Sequence, residues 1–92
     1  MKDTRIEADI LSDVREELAR ARAKFNRFNS AHEGYAVILE EMDELKYEVW
    51  KNRKIRSRER MLAEAIQIAA MAIRFAEDVC LTDHDGNTKD SA

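Results

Sequence analysis

A chain of 92 residues with no Pro, two Gly and one Cys is a single small helical domain, too short to bury a large core and unable to form an intrachain disulfide. Its 16 Lys and Arg against 19 Asp and Glu leave a net charge of -3, which makes no general case for a nucleic-acid partner. No stretch reads as a membrane span or a secretory leader, so a cytoplasmic protein with no membrane partner is expected.

The first helix is predicted from about Thr4 to Phe25. Leu11, Val14, Leu18, Ala21, Phe25 and Phe28 recur at steps of three and four and define one apolar stripe. Glu16 and Arg20 stand four apart on the outer surface, where a pair is expected. Residues 26–29 read as a connection. Ser30, with Glu33 three residues later, then opens a second helix in the pattern of a capping box. That helix carries an apolar stripe of Ala31, Tyr35, Ile38, Met42, Leu45 and Val49 and should end near Lys51 and Asn52.

Between 51 and 60 come six basic residues and one acid, a basic loop in which Ser57 is the natural cap of a third helix. This helix, about Ser57 to Leu81, has two apolar seams. One holds Leu62, Ile66, Ala69, Ile73, Ala76 and Cys80; the other holds Met61, Ala65, Ile68, Ala72, Phe75 and Val79. A helix that needs cover on two sides should lie centrally, against the other helices and a second subunit. Residues 1–81 are therefore expected to form one all-α bundle of three main helices, completed by oligomerisation. The polar remainder, 82–92, is expected to be a disordered tail.

Chemistry concentrates at Glu40-Glu41-Met42-Asp43-Glu44. Glu41 and Glu44, three apart, project from neighbouring positions on one face, and Glu48 extends it by a turn. Glu40 lies about 100° round the helix. None of Glu40, Glu41 and Glu44 has a cation three or four residues away. Like charges at that spacing cost a few tenths of a kcal/mol, roughly, so an acidic face answered by Arg or Lys from another helix accounts for them as well as a metal ion does. On the third helix Glu64, Gln67, Met71, Arg74 and Asp78 form a narrow polar stripe. Glu64 and Gln67 place two oxygen donors one turn apart, able to meet Glu41 and Glu44 across a helix pair. Oxygen ligands suit Mg²⁺ or Mn²⁺ better than zinc, and the lack of a Glu-x-x-His step argues against a di-iron site.

In these residues the chain resembles the MazG-like, all-α nucleoside triphosphate pyrophosphohydrolases, whose signature is Glu-Glu-x-x-Glu on one helix and Glu-x-x-Asp on the next. Glu40-Glu41-Met42-Asp43-Glu44 matches the first half and Glu64-Ala65-Ile66-Gln67 the second, and the likeness spans roughly residues 30 to 80. The resemblance implies Mg²⁺-dependent cleavage of a nucleoside triphosphate between its α- and β-phosphates, giving the monophosphate and pyrophosphate in a homodimer or homotetramer. By position Glu41, Glu44 and Glu64 would bind metal, and Glu40 would be a further ligand or would polarise the attacking water. Gln67 stands where the family has Asp, which removes one negative charge from the site. A non-catalytic interaction module with the same fold is the alternative. Asp78 is no substitute, since eleven residues of helix span about 16 Å.

Around the acids, Lys51 and Lys54 are candidates for phosphate contact, and Trp50 for stacking on a base or, more simply, for packing. Cys80 is expected to pack as a small hydrophobe.

Overall fold

The computed structural model describes residues 5–82. They form three α-helices, α1 (Glu7–Lys24), α2 (Ala31–Val49) and α3 (Arg58–Phe75), and α3 continues directly into a π-helical segment, Ala76–Leu81. There is no strand among the described residues, and the all-α class is as the sequence indicates. The tail from 83 onward lies outside the described residues, as does Thr4.

Each helix starts where its local chemistry places it, with one exception. Ser30 caps α2 through its hydroxyl, which accepts from the Glu33 N–H at 3.0 Å. The Glu33 carboxylate completes the motif one residue earlier than in a standard capping box, accepting from the Asn29 N–H at 2.5 Å. Ser57 caps α3 in the same way, accepting from the Arg60 N–H at 3.1 Å. The exception is α1. Ile6 stands at its N-cap with no side-chain bond to offer, and the helix begins at Glu7, later than the hydrophobic pattern suggests. Arg20 also departs from expectation, pairing with Glu17 at 2.6 Å rather than with Glu16.

α3 lies between α1 and α2 and packs along both. The core is small: Val14 and Ala21 from α1, Phe28 from the α1–α2 connection, and Ala70 and Met71 from α3, with Leu18, Val37, Ile66 and Phe75 packed around them. Gly34 is required here by proximity. A Cβ at that position would come within 2.6 Å of the Phe75 ring and 3.1 Å of Phe28, so only a glycine lets α2 approach the two rings.

The helix faces are turned relative to the apolar stripes. On α2 the inward side carries Gly34, Val37, Glu41 and Glu48, while Tyr35, Leu39 and Met42 are exposed. On α3 the face directed into the bundle is the polar stripe, with Met71, Arg74 and Asp78 all buried, whereas Ile73 of the first apolar seam and Ala65 and Ala72 of the second are exposed. The reason lies in what the interior contains. Charged side chains that find partners across the bundle sit inward, and each apolar arc of the third helix is split, with Ile66, Ala69, Phe75 and Val79 against the core and Ala65, Ala72 and Ile73 facing outward. Cys80, expected to pack, is exposed for the same reason.

Candidate metal centre

The inward rotation of α2 and α3 brings the acids of the two helices together. One carboxylate oxygen from each of Glu41, Glu44 and Glu64 lies within 4.8 Å of the other two. Small side-chain adjustments bring such a set onto one hard cation, whose oxygen ligands stand at about 2.0–2.6 Å. Glu41 and Glu64 are half-buried and Glu44 is exposed, so the group opens to solvent on one side.

The electrostatics match a site in want of positive charge. The Glu41 carboxyl is pushed up to about 7, chiefly by burial, then by the charges of Glu44 and Glu64. Glu64 is raised as well, by burial first and by Glu44 second. One oxygen of Glu64, Oε1, is buried with no hydrogen-bond partner. None of the three acids forms an ion pair among the described residues, although their neighbours do. Glu17, which also raises Glu41, is matched by Arg20, and Glu48 has the Lys51 ammonium 2.9 Å from its Oε1. That contact is an ion pair and not a directed hydrogen bond, because Glu48 Oε1 has no partner at hydrogen-bonding angles. An answering cation from another helix is therefore not what the structure supplies to Glu41, Glu44 and Glu64.

Glu40 is not one of this group. Glu40 and Gln67 line a cleft of about 410 Å³ together with Glu17, Glu41, Asn26, Arg27, Asn29 and Arg74. Gln67 is half-buried and Glu40 is exposed. Trp50 and Lys51 lie elsewhere, lining a shallow depression with Asp43, Lys46 and Tyr47 at the C-terminal end of α2. There the indole is 73% exposed, with the Lys46 ammonium 5.7 Å from its centroid. Lys54 sits in the exposed turn before α3, its N–H donating to Asn52 Oδ1.

A second polar cluster, unforeseen from the sequence, occupies the other half of the same stripe. Asp78 is 1% exposed; its Oδ2 accepts from the Phe28 N–H at 3.1 Å, and its Oδ1 is 3.5 Å from Arg22 Nη1. Arg74, 4% exposed, donates from Nη2 to the Asn26 carbonyl at 2.9 Å and lies 4.1 Å from the Phe28 ring centroid. The clue was present in the spacing. Arg74 and Asp78 are four apart, in line with the core residue Met71.

Among the described residues no helix is long and apolar enough to cross a membrane. Comparison with known proteins adds nothing to the geometry: no family model, curated protein or solved structure matches the chain.

Proposed function

We propose that this protein is a Mg²⁺-dependent nucleoside triphosphate pyrophosphohydrolase of the MazG-like kind. The single observation that carries the reading is the convergence of Glu41, Glu44 and Glu64 from two helices, with Glu41 pushed up to about 7 and a Glu64 oxygen buried without a partner. The same residues fill three positions of the family's signature. The donor set fits a hard divalent cation: all oxygen, largely anionic, on rigid helices and open to solvent on one side. Glu41, Glu44 and Glu64 would hold it, and Gln67, which lines the same cleft as Glu41, would add a neutral carbonyl oxygen.

Bound there, Mg²⁺ neutralises phosphate charge and lowers the pKa of a coordinated water. The chain's own residues do the rest. Glu40, at the cleft edge, accepts the proton of the attacking water as its oxygen bonds to the α-phosphorus; the bond from that phosphorus to the bridging oxygen breaks, and pyrophosphate leaves. Arg27 and the amides of Asn26 and Asn29, which line the same cleft, offer donors to the nucleotide. The exposed apolar side chains, Ile73 on α3 and Tyr35, Leu39 and Met42 on α2, support a homo-oligomer as the working form.

Pyrophosphate release from a panel of NTPs and dNTPs with Mg²⁺ or Mn²⁺ tests the activity. No release from any of them, together with no metal binding by calorimetry, rejects it. The rival reading, a non-catalytic helical module, draws on Gln67, which lowers the anionic charge of the site. A sharp gain of turnover in Gln67→Asp would identify the natural protein as a weakened or repurposed member.

A further inference from the structure

The Arg74 and Asp78 cluster plays no part in holding a metal, and stability alone does not account for it. An apolar pair of similar volume at two such buried positions would be at least as stabilising, because taking two charges out of water is costly. What the charged pair supplies and an apolar pair cannot is direction. Asp78 Oδ2 binds the N–H of Phe28 and Arg74 Nη2 binds the carbonyl of Asn26, so both fasten to the backbone of one short segment. At Phe25 the chain turns extended, with φ -122° and ψ 152°, and leaves α1. Backbone groups freed there need partners, and Arg74 of α3 and Asp78 of its π-helical continuation provide them. The Phe28 ring, 3% exposed, plugs the segment into the core beside Gly34 and Phe75.

Asn26, Arg27 and Asn29 are exposed and line the same cleft as Glu40, Glu41, Gln67 and Arg74. Amides offer paired donor and acceptor groups to a base edge, and a guanidinium forks onto phosphate oxygens. We infer that Arg74 and Asp78 are positioning residues, which clamp the backbone of 26–28 so that Asn26, Arg27 and Asn29 form a fixed nucleotide-binding wall of the cleft that Arg74, Glu40 and Glu41 also line. This rests on the nucleotide reading above. It adds that affinity for the nucleotide, rather than for the metal, is set from the C-terminal half of α3.

Binding of α,β-imido dNTPs to the full chain in Mg²⁺, read by calorimetry beside Mn²⁺ affinity, tests the inference. In Arg74→Lys the guanidinium fork is lost and the charge kept. Nucleotide affinity should fall at least tenfold while Mn²⁺ affinity changes less than threefold, and in turnover KM should rise with kcat moving less than threefold. Arg27→Ala and Asn29→Ala, at exposed positions, should weaken nucleotide binding at an unchanged melting temperature. The Arg74→Lys/Asn29→Ala double variant should lose less than the product of the single losses, because the same wall is affected twice. If Arg74→Lys does not fold, the two surface variants decide alone. Nucleotide affinity unchanged in Arg74→Lys, or in both surface variants, overturns the inference, as does an equal loss of Mn²⁺ affinity. An unaltered chain that binds Mn²⁺ and no nucleotide overturns the nucleotide reading and this inference with it, whereas nucleotide binding indifferent to these variants overturns only the wall.

Discussion

The polar stripe of α3 contains two sites of opposite character. Its C-terminal half, Arg74 and Asp78, is complete in charge, although Arg74 Nε is buried without a hydrogen-bond partner. Acid and base sit together, Arg22 stands behind the acid, and both side chains bind backbone. Its N-terminal half, where Glu64 meets Glu41 and Glu44, has acids only, and their carboxyls are pushed up as a result. The C-terminal half is deeply buried and neutralised within the chain, while the other, half-buried at Glu41 and Glu64 and exposed at Glu44, is left to an external cation or to protons. The lesson is that clustered charge identifies a binding site by the opposite charge that fails to answer it, rather than by depth.

The contrast makes substitutions in the two halves fail differently. The largest effect is expected in the acid half. Glu44→Gln should lower turnover by about 10³-fold or more, the scale of losing one charge-stabilising group at a reacting centre, while circular dichroism and oligomeric state stay as they are. A loss of helicity would instead place Glu44 in the folding machinery. In the complete half the effect falls on stability. Asp78→Ala leaves Arg74 buried with one partner fewer and should cost about 3–5 kcal/mol in denaturant unfolding, and a cost under about 1 kcal/mol would mean that the pair is dispensable.

Next in size is the response to metal. Mn²⁺ or Mg²⁺ at 100 times its dissociation constant should stabilise the chain by about 2.7 kcal/mol, through binding to the folded state alone. In Glu64→Gln that gain should shrink, and in Arg74→Lys it should persist. The pH response is smaller and has a definite sign. The Glu41 carboxyl titrates near 4.5 when unfolded and about 7 when folded, so the neutral form is favoured by folding. Its contribution is full below 4.5 and is lost as pH rises through about 7. In EDTA the melting temperature should therefore fall between about pH 5 and pH 7.5, while metal affinity should rise over the same window because cation and proton compete. A melting temperature that climbs with pH in EDTA would contradict the acid-only character of the site. Smallest of all is Trp50→Ala, at an exposed position outside both halves. It should alter stability by less than about 0.5 kcal/mol, and a shift in KM would bring the C-terminal end of α2 into the substrate site.

The sequence by itself determined the elements. Three helices, the caps at Ser30 and Ser57 and the apolar periodicities follow from local preference and spacing, which act within a few residues and can be read in one dimension. It also singled out Glu41 and Glu44, because like charges without a helical neighbour of opposite sign are visible from spacing alone, and Glu64 as an oxygen donor on the narrow polar stripe of the third helix. Tertiary structure decided which face of each helix turns inward. Tyr35 and Met42 read as core and are exposed, while Arg74 and Asp78 read as a narrow polar stripe and are buried. A helical wheel ranks faces by apolarity, but the burial of a charge depends on partners that lie 48 to 56 residues away, at Asn26, Phe28 and Arg22. Those partners exist only once the chain has folded back on itself, and with them come the clamp on 26–28, the cleft that it walls, and the meeting of the carboxylates of α2 and α3.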